Sequence, residues 1–474
     1  MRDRGSVFLL AMVICLAGLA AMGAAAAGAV SFVPPVHYPL GGKPADLASA
    51  DLNGDGRPDL VASAGSGVDV LLAVGRIGFA PASRIPLEHR PGAIALADLD
   101  GSGTQDVVTA NRDGTVTVLL GAGDGSFVVK GTYPSGSSAC FDVVAGDLTG
   151  DGDPDVATAT GDGGAILRGD GTGGLLAPLA LPIRAECWHL AAGDFNLDGR
   201  LDLAASEYSW DEYSGFAVLL GDGAGGFSAP AFVSGRDTDS SPHGLAVGKL
   251  NHDTTPDLVA LYGYEGGSIL GFLGDGTGVF TRAAGTDFSG GLDDAWGLAV
   301  ADLNRDRSDD VVTIGQRPGG YSGTRRVPPG PPRIYIMLSH VAGGVTFART
   351  SFLAGRVPGE VIAVDLNGDK RPDLATTDLK YHSLTVRLNG VLPALTGLSP
   401  ARGRIGDVVT LTGRHFSLRH AVVRFGAATA TSYLSRSDSR IVVRVPSGTA
   451  KGTIRVTVTT LVGRSAPKSF VRLD

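Results

Sequence analysis

Beyond its first 27 residues this chain alternates short apolar runs with tight clusters of Asp, Asn and Gly, and no stretch carries a helical 3.6-residue period. One unit recurs seven times: a short apolar strand, an Asp-rich loop, and a second strand that in most copies opens with Asp-Leu or Asp-Val. The first loop positions are Asp51, Asp98, Asp147, Asp194, Lys249, Asp302 and Asp365, spaced by 47, 49, 47, 55, 53 and 63 residues, which leaves room for four short strands per unit. A Gly-Asp-Gly turn leading to Phe accompanies the unit at 123–127, 221–227 and 274–280; at 169–175 the Phe is replaced by Leu175. In the first unit the strands are predicted at 46–50, 60–63, 68–73 and 79–85. Seven such units without helices predict an all-β, seven-bladed β-propeller, because a ring of repeats closes on itself where an open stack leaves its ends uncapped. The seventh unit runs out after a third strand at 384–388. Residues 32–38 are therefore predicted to supply its outer strand and cover an otherwise open sheet edge.

From residue 391 the pattern changes. Strand signals at 408–411, 422–426, 441–445 and 454–458, with Leu398, Phe416 and Phe470 around them, predict a small immunoglobulin-like sandwich over 391–474. It lacks the Cys-Trp-Cys set of antibody domains. At the other end Arg2 and Arg4 precede an apolar run at 7–21 and small residues at 24–27, the order of a secretory signal peptide cleaved near Ala27, with an uncleaved anchor as the alternative. Residues 28–390 are left for the propeller. No other segment is long and apolar enough to span a bilayer. The expected location is extracellular: secreted or at the cell surface.

Gly is abundant, at 71 of 474 residues, and reads as many tight turns; the formal net charge is −8. The acidic residues gather in the repeated loops, which argues for cation binding and against a nucleic-acid partner. The first loop, 51–59, places side-chain oxygens at positions 1, 3, 5 and 9, a Gly at position 6 for the sharp turn, and the Arg57 carbonyl at position 7. This is the spacing with which a short loop wraps Ca²⁺. The ligand sets are Asp51/Asn53/Asp55/Asp59 with Arg57, Asp98/Asp100/Ser102/Asp106, Asp147/Thr149/Asp151/Asp155, Asp194/Asn196/Asp198/Asp202, Asp302/Asn304/Asp306/Asp310 and Asp365/Asn367/Asp369/Asp373. In the fifth unit Lys249 replaces the first carboxylate, and its ammonium is expected to neutralise Asp253 and Asp257 in place of an ion. About six calcium ions are expected, with blade 5 vacant.

Loops of the form Asp-Leu-Asn-Gly-Asp-Gly-x-Pro-Asp-Leu resemble the FG-GAP/VCBS repeats of integrin α-subunit propellers and their bacterial relatives. The Ser-Pro, Gly-Gly and Val-Pro-Ser-Gly positions of 391–474 resemble the IPT/TIG fold. The resemblance implies structural calcium on one face of the propeller and partner binding on the other. On that second face the sequence collects Trp188, His189, Tyr208, Trp210, Asp211, Tyr213, His243, Asp293, Asp294 and Trp296, aromatics beside carboxylates that suit a protein or carbohydrate ligand. The same aromatics could instead pack the loops or plug the channel. Cys140 and Cys187 occupy equivalent places in neighbouring units and are either bridged or two buried thiols.

No catalytic constellation is legible: there is no His-Glu-x-x-His, no Gly-x-Ser-x-Gly, and no cofactor motif. The expected function is adhesion or recognition without catalysis. A carbohydrate-active enzyme on the same scaffold, a polysaccharide lyase or hydrolase, is the alternative, and a purely architectural role in a larger surface assembly is a third.

Overall fold

The computed structural model describes residues 30–474 apart from 76–77, 184, 209–214, 235–241, 263–266, 290–294, 296, 316–319, 323–324, 328–330, 342–343, 355–356, 417–420 and 461. Residues 1–27, expected to be a signal peptide, lie outside the described residues. Every regular element among the described residues is a strand. Seven antiparallel sheets follow one another. Their inner strands are Pro44–Ala50, Pro91–Ala97, Cys140–Gly146, Glu186–Gly193, Gly244–Gly248, Leu298–Ala301 and Pro358–Val364, each packed on the next, with the last packed back on the first. The chain is a closed seven-bladed β-propeller.

The second and third strands of each blade lie between neighbouring blades and are mostly buried, along their whole length in Asp59–Ala64 and Gly67–Leu71. That is why they read as continuous apolar runs and not as alternating ones. The core is accordingly divided into seven clusters, one per interface between blades. The cluster joining blades 1 and 7 contains Leu47, Leu60 and Leu71 from one side and Ala375, Leu384 and Val386 from the other.

Ring closure follows the expectation. Val36–Pro39 pairs antiparallel with the third strand of blade 7, Val36 opposite Val386 and Pro39 opposite Ser383, and Phe32 bridges to Asn389. In blade 1 the outer strand is shorter than expected, Ser83–Pro86. Phe79 belongs instead to a small hairpin with Ala73, for a reason the site makes plain.

The C-terminal unit is a sandwich of two sheets, built on Val408–Arg414 and Arg440–Arg444 in one and on Gly452–Thr460 and Lys468–Arg472 in the other. Leu411, Phe416, Val423, Phe425, Ile441, Val456 and Phe470 fill the space between them.

The two cysteines are free and buried, so the bridge is not formed. Cys140 belongs to the core between blades 2 and 3 and Cys187 to the core between blades 3 and 4, so equivalent positions fall in successive layers.

Candidate functional site

Each Asp loop leaves the end of an inner strand, and its ninth residue is the pivot. Asp59, Asp106, Asp155, Asp202, Asp257, Asp310 and Asp373 are all fully buried. One carboxylate oxygen accepts the N–H of loop position 2 and the other accepts an N–H from the end of the third strand, at 2.6–3.0 Å throughout. The third-strand donors are Ala73, Gly121, Gly169, Gly221, Gly274, Ser339 and Asn389. Those same residues pair with Phe79, Phe127, Leu175, Phe227, Phe280, Phe347 and Phe32. The Asp clamp and the Phe-led turn are thus one device, repeated in every blade, and Phe32 completes it in the seventh. Burial raises these carboxyls above the usual range: Asp257 to about 6, and Asp310 and Asp373 to about 8.

The first loop position organises the turn. Asp51 Oδ2 accepts the position-6 N–H of Gly56 at 2.7 Å, and Asp98, Asp147, Asp194, Asp302 and Asp365 accept those of Gly103, Gly152, Gly199, Arg307 and Lys370 at 2.7–3.1 Å. Positions 4 and 6 then take left-handed φ in all six loops, even where the residue is Leu197, Arg305, Arg307 or Lys370. A side chain at such a φ costs about 1–3 kcal/mol, so something must over-determine the conformation. In the second loop carboxylate oxygens of Asp98, Asp100 and Asp106 converge within 4.8 Å of one another, and the buried Asp98 Oδ1 has no hydrogen-bond donor. This donor set fits a hard cation.

The sequence spacing points the side chains of positions 3 and 5 at one common centre. In the other five loops the carboxylates do not converge as they do in the second. Positions 3 and 5 bond the loop's own main chain instead, because an Asn or Asp oxygen readily reaches the N–H two residues on. Asn53, Asn196, Asn304 and Asn367 at position 3 each accept, through Oδ1, the N–H of Asp55, Asp198, Asp306 or Asp369 at 2.9–3.1 Å. Those four position-5 carboxylates, with Asp151 of the third loop, accept the N–H of position 7 at 2.9–3.0 Å. The Nδ2 groups of Asn196 and Asn304 also donate to Asp198 and Asp306, both at 3.0 Å, and that of Asn367 donates to Asp373 at 3.4 Å. Thr149 is fastened through its main chain, its N–H on Asp155 at 2.9 Å. Ser102 Oγ accepts the N–H of Thr104 at 3.3 Å and lies 2.8 Å from the Thr104 hydroxyl. In the first loop Arg57 turns its guanidinium onto Asp55, 2.6 Å away, and holds that carboxyl below the usual range.

Blade 5 is built differently. Neither His252 nor Thr254 takes a left-handed φ. Lys249 makes no ion pair with Asp253 or Asp257, contrary to the sequence expectation. Its N–H bonds Asp309 of blade 6 at 2.8 Å, and Asp309 is the carboxyl that feels its charge.

The loops also join blades. The N–H of Gly125, in the turn of blade 2, bonds the Leu52 carbonyl in the loop of blade 1 at 3.0 Å. Gly173 does the same to Leu99 and Gly278 to Phe195. Gly125 sits at φ +84°, where a side chain would be strained and a Cβ would lie 2.5 Å from the Leu72 side chain, so Gly favours this contact.

At the other end of the inner strands the channel opens into a cavity of about 310 Å³ lined by Asp46, Arg112, Phe141, Asp142, Trp188, His189 and Glu360. Asp46, Asp142, His189 and Glu360 are equivalent residues, each five before its loop's first position. Phe141, Trp188 and His243 hold the preceding position in blades 3, 4 and 5 and lean on one another, with ring centroids 5.3 and 6.0 Å apart. His189 Nδ1 lies 3.4 Å from Asp142. Burial pushes Asp46 up to about 7 and Glu360 well above the carboxylate range, and it lowers His243 to about 4.

Of the sequence candidates for this face, Trp188, His189 and His243 come together at the channel mouth. Tyr208 ends the second strand of blade 4. Trp210, Asp211, Tyr213, Asp293, Asp294 and Trp296 lie outside the described residues. Asp46, Arg112, Asp142 and Glu360 escaped the sequence reading. For Asp46, Asp142 and Glu360 the signal was a charged residue recurring at one register of otherwise apolar inner strands; Arg112 follows the second strand of blade 2 and had no such signal.

Closed blades, Asp clamps and an appended sandwich define a repeat-built propeller carrying an immunoglobulin-like domain. The chain carries FG-GAP-like repeats, matched at 98–158, 150–205 and 250–313, and an IPT/TIG domain at 393–471. No curated protein matches the chain by sequence. Among solved structures, a chain from the complex of BBS1N with ARL6DN is similar at 10% identity, covering 76% of this chain and 97% of that one with a TM-score of 0.50. An Agrocybe aegerita lectin specific for non-reducing terminal N-acetylglucosamine aligns at 18% identity over 69% and 91% of the two chains, TM-score 0.45. A copper-containing fungal alcohol oxidase of the AA5 family aligns at 12% over 94% and 100%, TM-score 0.47. At 10% identity the likeness to the BBS1N–ARL6DN chain speaks to fold alone and not to ligand or activity. No helix among the described residues is long and apolar enough to cross a membrane.

Proposed function

We propose that this chain is a secreted, calcium-loaded recognition propeller that engages a protein or glycan partner on the face opposite its Asp loops, without catalysis. One observation carries the calcium reading: six of seven loops wrap a first-position carboxylate in a left-handed turn that four non-glycine residues also adopt, and the loop lacking that carboxylate does not. Calcium would be held by the carboxylates and Asn, Ser or Thr oxygens of positions 1, 3 and 5, with the ninth-position Asp at the back. A carboxylate or amide oxygen that accepts one N–H keeps a second lone pair, so the turn contacts of positions 3 and 5 are compatible with an ion. When bound it supplies the positive charge that lets these carboxylates stand together. The loops hold neighbouring blades, so the ions would stiffen the ring and keep the opposite face in shape. The charged N-terminus and apolar run of the sequence support an extracellular setting, where calcium is plentiful.

The test is thermal unfolding of the mature protein before and after metal removal. A ligand that binds only the native state stabilises it as its concentration exceeds its dissociation constant. Metal-free protein should melt lower and recover on adding calcium. Identical melting curves after verified metal removal would overturn the reading. The enzyme alternative draws on the channel, where raised carboxyls face a histidine in a cavity; turnover of a glycan bound by the protein would favour it.

A further inference from the structure

The channel mouth contains a carboxylate with nothing to bind. Asp46 and Asp142 are fastened by main-chain donors: Asp46 accepts the N–H groups of Leu47 and Ile94 at 2.7 Å, and Asp142 those of Val143 at 2.8 Å and Leu190 at 3.0 Å. In each case the far donor belongs to the next blade, so these two residues are rivets between inner strands. Glu360 holds the same register in blade 7, and its equivalent donor would be Leu47 of blade 1. That N–H is already taken by Asp46. The Glu360 carboxyl, one methylene longer, is half-buried and lines the cavity with no hydrogen-bond donor and no ion pair among the described residues. The charges acting on it most strongly are those of Asp46 and Asp142, both repulsive. Lys43, Arg90 and Arg112 stand on the cavity wall without pairing with any of the three carboxylates.

Across the mouth from Asp46 and Glu360, the stacked rings of Phe141, Trp188 and His243 form an aromatic wall over blades 3 to 5. Phe141 and Trp188 line the same cavity as Asp46, Asp142 and Glu360, and acids beside aromatic carbon are the two halves of a site for an organic cation: the charge is met by the acids and the body by the rings. A hydrated metal ion would use the acids and leave the rings idle.

We propose that the channel mouth binds a small organic ammonium ion, its nitrogen against Glu360 with Asp46 and Asp142 behind and its body against Trp188 and Phe141. This rests on the recognition reading above and names the chemistry that the recognition face takes. The cavity holds a group about the size of one sugar ring or one amino-acid side chain. An amino sugar and an alkylamine share the required chemistry.

Calorimetric titration of the full mature chain in calcium buffer tests it, with glucosamine and cadaverine as probes and glucose and 1,5-pentanediol as their neutral counterparts. One or both amines should bind and the neutral compounds should not; which amine binds tells a sugar-borne from an alkyl-borne ammonium. Glu360→Gln should weaken binding about tenfold or more, the effect of losing one charge-assisted contact. Because Glu360 holds no structural bond, the variant should keep wild-type calcium-dependent melting. Trp188→Leu provides a second check and should weaken the amine without creating affinity for the neutral probes. The proposal falls if neither amine binds at millimolar concentration, if neutral and charged probes bind alike, if Glu360→Gln binds as tightly as wild type, or if calcium displaces the amine. Calcium-dependent melting is read on the same samples. Loss of amine binding with that dependence intact removes only the channel assignment, whereas melting indifferent to calcium removes the recognition propeller itself.

Discussion

Lys249 and Asp302 occupy the same place in adjacent blades and leave their loops in different shapes. Where the carboxylate is present it gathers the N–H of position 6 and draws positions 4 and 6 into left-handed φ; where it is absent His252 and Thr254 stay out of that region. The Lys249 ammonium pairs with neither Asp253 nor Asp257, and the carboxyl that feels its charge is Asp309. Restoring the carboxylate alone is therefore not enough, since a β-branched Thr at position 6 resists the left-handed turn. Lys249→Asp combined with Thr254→Gly should convert the fifth loop into a binding loop. Native mass spectrometry should count about six ions on the wild type and one more on the double variant. A wild type that already carries seven would show that the fifth loop binds through its remaining oxygens.

At the scale of the strand and its turn, the ninth-position Asp and the Phe opposite its donor form a lock between second, third and outer strands. Deleting residues 30–39 removes the lock from blade 7 together with its outer strand, leaving the edge of Ser383–Arg387 unpaired. The truncated protein should aggregate or lose cooperativity on melting, as read by calorimetry and light scattering. Melting like the full mature protein would mean the ring does not depend on this strand. Much of this level was legible in the chain: the Asp spacing located every blade, and the missing fourth strand pointed to residues 32–38. The outer strand of blade 1 was misplaced because Phe79 looks like the head of that strand, while its pairing with Ala73 serves the lock. Spacing named Asn53 and Asn196 as oxygen donors to a common centre, but it does not show that the same oxygens also brace the turn. The channel residues stayed hidden because a single Asp46 or Glu360 in a strand is ordinary. Their meaning comes from a register that brings four blades together in space. Lys249 misled because sequence shows the charge at a position and not which carboxyl of a neighbouring blade comes near it.

Over the whole molecule charge is unevenly divided. Residues 30–392 hold 25 Lys and Arg against 44 Asp and Glu, whereas residues 393–474 hold 13 against 3. The acidic excess sits in the propeller, and burial raises its ninth-position carboxyls, to about 8 for Asp310 and Asp373. A carboxyl raised in the folded state contributes stability that is fully present below its unfolded value and is lost as pH rises through the folded one. Metal-free propeller should thus weaken steadily from about pH 4 to about pH 8. Calcium favours the ionised form and opposes that loss. The rise in melting temperature on adding calcium should therefore grow between pH 5 and pH 8, measured on protein freed of metal by dialysis. A calcium increment that is flat or shrinks over this range would place the ion away from these carboxyls.

The pairing of Val36 with Val386 also fixes an order in time. The strand that finishes the ring leaves the ribosome first, and its partner follows some 350 residues later. At 5–20 residues per second that is a wait of about 20–70 s. During it the first blade and the most recently completed one each present an apolar flank with no neighbour, because the core lies between blades. Loop closure over such a distance is slow even in a finished chain. The newborn protein is thus an open fan with two sticky edges until its last blade arrives, and whatever shields those edges in the meantime decides how much of it reaches the closed ring.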